Sequence, residues 1–224
     1  MQTSRRSILK GSILASLAGT MGATAMSASA AEKQAALPKK EYDLVICGLG
    51  IGGIVTAIRA AQDGLKPVIL EKMSSASGNT IYSAGFMLGV NTKMQQEKKL
   101  ETGDTVDKFY EDMMKVSQGR GDPKLTRLVA EKADETLNWL HDYVGVKYAV
   151  GMKLVWPMLQ RAHLTIGEKK PGGTQLMLYL LAKAKELNVP IVYNAKAVEL
   201  LDNPQNGKVI GCLLYTSDAA DEAR

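Results

Sequence analysis

The sequence predicts an α/β fold built on a parallel β-sheet, and three consecutive segments around residue 50 carry the prediction. The run Tyr42-Asp43-Leu44-Val45-Ile46-Cys47 is short and apolar and stops at a glycine cluster, as expected of a strand buried on both faces. From Gly53 to Gln62, Ile54, Ala57, Ile58 and Ala61 recur at helical spacing, and Asp63-Gly64 supplies a glycine stop. Pro67-Val68-Ile69-Leu70 is a second apolar run, ending in Glu71. Strand, glycine turn, helix, strand is the βαβ unit, whose crossover joins parallel strands.

Downstream, Thr105 to Met114 reads as a helix, and Asp122-Pro123 opens a longer one with Leu125, Leu128, Val129, Leu137 and Leu140 expected on one packed face. Gly172-Gly173-Thr174 starts another helix, with Leu176, Leu180, Leu181, Ala184 and Leu187 as its buried stripe. Ile191 to Tyr193, Ala197 to Leu201 and Lys208 to Gly211 read as strands, the last two joined across an Asn206-Gly207 turn.

The chain has 224 residues, 46% hydrophobic and 23% charged, a globular composition large enough for one cored domain. Of its formal net charge of +5, three units come from Arg5, Arg6 and Lys10, with no acid among the first thirty residues. The remainder carries little surplus, and no basic stripe or aromatic platform points to nucleic acid. Residues 1–30 read as a targeting segment: a basic start, a Gly/Ser/Thr-diluted apolar run from Gly11 to Met26, and Ala28-Ser29-Ala30 as the cleavage signal. The run is too short and too diluted for a membrane anchor. Two cysteines, Cys47 and Cys212, make no disulfide framework, no metal site is suggested, and Cys47 is expected to be a small buried hydrophobe.

The chemistry-bearing motif is Gly48-Leu49-Gly50-Ile51-Gly52-Gly53, a G-x-G-x-x-G placed between a strand and a helix. Gly48 allows the sharp turn, Gly50 a close approach to a pyrophosphate, and Gly53 close helix–sheet packing. The helix start then offers free N–H groups and a positive dipole end to phosphate. Glu71, about 20 residues further on at the end of the second strand, is placed to accept hydrogen bonds from an adenosine ribose. NAD and FAD share that half, so these residues leave the choice open.

Ser4-Arg5-Arg6-Ser7-Ile8-Leu9-Lys10 resembles a twin-arginine export signal, which implies a periplasmic protein that folds and loads its cofactor before crossing the membrane. Glu71-Lys72, then Gly78-Asn79-Thr80 and Ser83-Ala84-Gly85, resemble the second FAD-contacting segment of the fumarate reductase/succinate dehydrogenase flavoprotein superfamily. Ser77 and Phe86 depart from its usual Gly-Gly-Asn and Ala-Gly-Gly. Arg161-Ala162-His163 with Gly172-Gly173 is similar to a stretch of soluble fumarate and urocanate reductases, and Val192 to Ala197 to the strand whose backbone, at Ala197, brackets the adenine. The resemblance implies FAD as cofactor, in an incomplete Rossmann-like FAD-binding domain. It further implies a reductase acting on a C=C bond conjugated to a carboxylate, supplied with electrons by a cytochrome or another exported carrier, since no haem or FMN domain is expected ahead of residue 41. The substrate-binding arginines, histidine and proton donor are expected in a capping domain and a returning segment after residue 211, so no catalytic residue is assigned. His163 is read as a satisfied structural histidine near the cofactor, and His141 as packing. The alternatives are a flavin dehydrogenase of the 3-oxosteroid type and a non-catalytic exported flavin-binding or electron-transfer module.

The final stretch, Cys212-Leu213-Leu214-Tyr215-Thr216-Ser217-Asp218-Ala219-Ala220-Asp221-Glu222, resembles the translation of a sequencing-library adapter and is expected to be non-native. The expected layout is a signal over 1–30, a linker over 31–40, the FAD-binding portion over 41–211 and the adapter-like tail over 212–224.

Overall fold

A computed structural model describes residues 41–100, 103–168 and 171–216; the expected signal and linker lie outside them. β1 (Leu44–Cys47), α1 (Ile51–Gln62) and β2 (Pro67–Leu70) form the expected βαβ unit, with β1 and β2 parallel from Leu44↔Pro67 to Cys47↔Leu70. A short helix α2 (Asn79–Tyr82) leads to β3 (Phe86–Leu88) and α3 (Lys93–Glu97). Then come α4 (Val106–Val116) and α5 (Pro123–Trp139), which runs into a π turn over Leu140–Val144, followed by β4 (Lys147–Ala149) and β5 (Ala162–Ile166). The chain closes with α6 (Gly173–Glu186), β6 (Ile191–Val192), β7 (Ala195–Asp202) and β8 (Val209–Thr216). The result is mixed α/β, with a parallel sheet in the order β1-β2-β6, an antiparallel sheet β3-β5-β4 and a β7-β8 hairpin.

Local chemistry places the helix starts. Thr92, Thr105 and Asp122 cap α3, α4 and α5 by accepting backbone N–H groups in the first turn. Pro123 sits at the first helical position of α5, where its missing N–H costs nothing. The main core gathers Ile54 and Ile58 of α1, Ile69 of β2, Leu137 and Leu140 at the end of α5, and Leu176 and Leu180 of α6. Each such burial contributes roughly 1.5–3 kcal/mol.

Several expectations require correction. Burial on both faces holds for β2, whose four residues are all buried, but not for β1, where Val45 is 42% exposed and Cys47 is exposed rather than a buried hydrophobe. Side chains alternate along β1, so Ile46 packs against the core with Leu44 on the same face, while Val45 and Cys47 lie on the opposite face. In α5, Leu137 and Leu140 are buried, but Leu125, Leu128 and Val129 are each more than half exposed. These three form their own i, i+3, i+4 stripe, while the face packed against Phe109 of α4 is marked by the smaller Ala130 and Ala133. The antiparallel sheet was not foreseen: its strands are three to five residues long, too short to stand out by alternation. The hairpin exists, but its connection runs over residues 203–208, with Gly207 at φ +65° and its N–H on the Asn203 carbonyl, rather than closing on Asn206-Gly207 alone. Of the segment read as adapter-like, Cys212–Thr216 pair with β7 and residues 217–224 lie outside the described residues.

One buried ion cluster ties the helical hairpin to the antiparallel sheet. Arg161, 2% exposed, donates from Nε and Nη2 to Asp104 and from Nη1 to Asp112 at 2.8 Å, and its guanidinium lies 5.0 Å from the Phe109 ring centre. The hydrogen bonds to Asp104 raise the arginine's pKa, and a hydrogen bond from the Trp156 indole, then Arg161 itself, holds Asp112 below the usual carboxylate value. Removing the cation takes the counter-charge from two carboxylates, one buried and one partly buried. Arg161→Met is therefore expected to cost about 3–5 kcal/mol of stability, measured by urea unfolding; a loss under about 1 kcal/mol would show that the cluster does not hold these elements together.

Candidate functional site

The glycine turn between β1 and α1 is built by contacts that exclude side chains. Gly48 has φ +104°, and its N–H donates to Leu70 O at 2.8 Å, so the chain reverses while still paired to β2. A Cβ on Gly53 would stand 2.1 Å from Gly48 O and 3.3 Å from Ile46 Cγ2, the close helix–strand contact that the third glycine of the motif requires. At Gly50 and Gly52 a Cβ would meet nothing within 4 Å, so the space in front of the turn is open. α1 starts at Gly50 with no side-chain cap, and the amides of Gly52 and Gly53 have no carbonyl four residues back within the helix. Open space before uncapped amides at a positive dipole end suits a pyrophosphate.

Glu71 is 7% exposed and already engaged: Oε2 accepts Leu49 N–H at 2.7 Å and Oε1 accepts Met73 N–H at 2.9 Å. The carboxylate thus fastens the glycine turn to the loop leaving β2, and each oxygen keeps a lone pair for a ribose hydroxyl. Its own backbone pairs with Val192 O and Ala195 N–H, which brings the start of β7 alongside; Ala197 follows two residues on, where its partner is Leu214 and the register shifts before Glu199. Tyr193 has its hydroxyl pKa raised by burial and by the Glu71 charge.

The segment from Gly78 to Gly85 is gripped from two sides. Thr80 Oγ1 accepts Ile51 N–H at 3.1 Å, joining this segment to the start of α1. On the other side, Ser83 O accepts Gly173 N–H at 3.0 Å and Ile81 O accepts the Thr174 hydroxyl at 3.1 Å, at the start of α6. The backbones touch: a Cβ on Gly85 would lie 2.3 Å from Gly172 Cα, and one on Gly173 1.8 Å from Thr80 O. Gly172-Gly173 therefore serves as a backbone-to-backbone contact as well as a helix start. Lys72, Asn79 and Ala84 are exposed, and Lys72 and Asn79 make no side-chain hydrogen bond among the described residues. Phe86, the departure from the glycine pattern, is a partly exposed residue of β3.

His163 is fully buried with both nitrogens engaged, Nδ1 on the Arg161 carbonyl at 2.8 Å and Nε2 against Thr92 Oγ1 at 2.8 Å. Burial lowers its pKa, so the ring is neutral and donates from Nδ1 to the carbonyl. His141 is half-buried with Nδ1 on Val146 O. The Arg161 cluster borders a cavity of about 250 Å³ that also includes Gly103, Lys108, Glu111 and Leu159, none of them a residue singled out for the cofactor. Its pairing across 57 residues left no local signal in the sequence.

Residues 43–224 match the family described as FAD binding domain. The chain is 30% identical over 186 residues to fumarate reductase (cytochrome) of Shewanella frigidimarina, covering 82% of this chain and 32% of that protein. It is 32% identical over 189 residues to urocanate reductase of Eggerthella lenta, covering 81% and 29%. Among solved structures, the open conformation of a flavocytochrome c3 fumarate reductase matches with TM-score 0.71 at 26% identity, over 84% of this chain and 32% of that one. A 3-ketosteroid-Δ4-(5α)-dehydrogenase from Rhodococcus jostii matches with TM-score 0.67 at 25% identity, over 81% and 44%. The chain spans about a third of the length of these curated relatives.

Two predictions follow from the geometry. Gly53→Ala is expected to lose about 1–3 kcal/mol through overpacking, while Gly52→Ala, with open space around its Cβ, stays within about 0.5 kcal/mol of the parent; denaturant unfolding of the pair checks this, and equal losses would refute the close contact. His163 has its folded pKa below the ordinary 6.5, so it favours the fold fully above that value, and the contribution is lost as pH falls below it toward the lower folded pKa. The melting temperature is expected to drop between about pH 7.5 and about pH 5, and His163→Gln to flatten that drop; an unchanged pH slope would mean the ring titrates as freely as in the unfolded chain.

Proposed function

Since the chain belongs to the FAD binding domain family, we propose that it is the cofactor-holding part of a periplasmic, FAD-dependent reductase acting on a C=C bond conjugated to a carboxylate. The family match gives FAD as the cofactor, where the motif alone leaves NAD and FAD open, and the proposal puts it at the glycine turn. The observation that carries the proposal is the glycine turn fastened to buried Glu71 and to Thr80, in a chain whose relatives include fumarate, urocanate and acrylate reductases.

In this reading the amides of Gly50, Gly52 and Gly53 hold the pyrophosphate, Glu71 the ribose and the backbone at Ala197 the adenine. The segment from Lys72 through Asn79, Thr80, Ser83 and Ala84 to Gly85 leads toward the ring. The flavin supplies hydride transfer when bound; these residues position it. In the proposed enzyme the substrate-clamping and proton-donating groups come from a capping domain and a returning segment. Export by the twin-arginine route, resting on Ser4 to Lys10, and an exported cytochrome or similar electron donor complete the proposal. A second reading, a flavin dehydrogenase of the 3-oxosteroid type, is supported by the likeness to the Rhodococcus jostii enzyme.

The test is to express the gene read through beyond residue 211, reduce the purified protein without oxygen, and add fumarate, urocanate or a 3-oxosteroid in turn. Reappearance of oxidised flavin bands with an unsaturated acid is expected. A response confined to the steroid would favour the second reading, and a colourless protein would defeat both.

A further inference from the structure

We propose that the outer face of α5 is an interface between two copies of this chain, packed antiparallel about a two-fold axis at Leu128. The proposal goes beyond the cofactor site and depends on no part of it. α5 turns Ala130, Ala133 and Leu137 inward, and away from them run Leu125, Leu128 and Val129, which are 63%, 51% and 55% exposed. Leu125 and Leu128 line a groove of about 570 Å³ on the outside of the helical hairpin, together with Tyr110 of α4 and Pro123. A single exposed leucine is ordinary on a protein surface; a stripe of three beside an apolar groove is a surface that gains by being covered.

The charges on this face identify what covers it. Arg127 is committed to Asp107 and lies 4.0 Å from the Tyr110 ring centre, and Lys132 pairs with Glu135 at 2.9 Å. Lys124 and Glu131 are exposed and make no ion pair or side-chain hydrogen bond among the described residues. With Leu128 they form one i, i+4, i+7 line along the helix, Lys124 about 6 Å to one side of the leucine and Glu131 about 4.5 Å to the other. A line that reads cation, leucine, anion is complementary to itself when reversed. In an antiparallel pair Leu128 meets Leu128, and Lys124 of each copy comes level with Glu131 of the other to within about one residue's rise, so two identical ion pairs flank an apolar centre. A parallel pair would set Lys124 against Lys124. An anionic membrane surface would call for a face of one sign, and this face carries both. The contact is one helix wide, below the roughly 800 Å² per partner of a standard interface, so the dimer is a weak one, with Kd of roughly 100 µM.

The test is sedimentation of the full chain from about 1 µM to about 1 mM, a range that brackets such a Kd, with circular dichroism to confirm that each variant keeps the parent fold. A reversible monomer–dimer equilibrium is expected. Leu128→Asp sets two carboxylates against each other at the axis and is expected to leave only monomer. Lys124→Glu and Glu131→Lys each place like charges together twice, and each is expected to weaken the dimer roughly tenfold. The double variant Lys124→Glu/Glu131→Lys restores both pairs with the signs exchanged, and its Kd is expected to return to within roughly threefold of the parent. A chain that is monomeric throughout, a dimer indifferent to Leu128→Asp, or a double variant as weak as the single ones would overturn the proposal. The same series on the product of the gene read through beyond residue 211 is expected to respond in the same way; a monomer there would show that its own further sequence covers the stripe, and would overturn the proposal as well.

Discussion

Glu71 and the glycine turn constrain each other, and the rest of the site is arranged around that pair. A carboxylate at the end of β2 reaches back to Leu49 N–H, so the turn leaving β1 is fixed from the neighbouring strand as well as by its own conformation. That fixation is possible only because Gly53 lets α1 settle onto Gly48 and Ile46 without a side chain between them. Parallel pairing of β1 with β2 puts the carboxylate and the turn at the same end of the sheet, the end where open α/β folds bind ligands. Once those positions are set, the first-turn amides of α1 face open space, and the segment after β2 is placed to cover it.

The second constraint is backbone contact between the Gly78–Gly85 segment and the start of α6. Gly85, Gly172 and Gly173 meet with no room for a methyl group, and Ser83 and Ile81 carbonyls take donors from α6. Two helix starts therefore grip one short segment, α1 through Thr80 and α6 through its glycines. Apart from the single turn of α2, that segment has no regular structure of its own, and the two longer helices supply the order it lacks.

The βαβ unit was legible in the sequence because each of its signals is local: an apolar run, a glycine cluster, helical spacing and a stop. The offset of Glu71 suggested a ribose partner, but its grip on Leu49 was not readable, since nothing in the spacing distinguishes a carboxylate free for a ligand from one bonded to the turn as well. The start of α6 at Gly172-Gly173 was visible as a helix start, while its reason, contact with Gly85 across the fold, was not. Buried pairs such as Arg161–Asp104 and His163–Thr92 join residues far apart in sequence and left no pattern to read. The exposed side of β1 and the exposed stripe of α5 misled for the opposite reason: apolar residues mark surfaces that can be covered, and periodicity does not say which of them this chain covers itself.

In the proposed assignment the glycine turn, and not the cavity beside Arg161, receives the phosphates of the cofactor. The most direct measurement is a titration of the isotopically labelled chain with adenosine diphosphate, following backbone amide resonances. The amides of Leu49, Gly50, Gly52 and Gly53 are expected to shift together and saturate together, with Gly103, Asp112 and Arg161 at the buried ion cluster unmoved. Saturable shifts at the ion cluster with the glycine turn silent would contradict it.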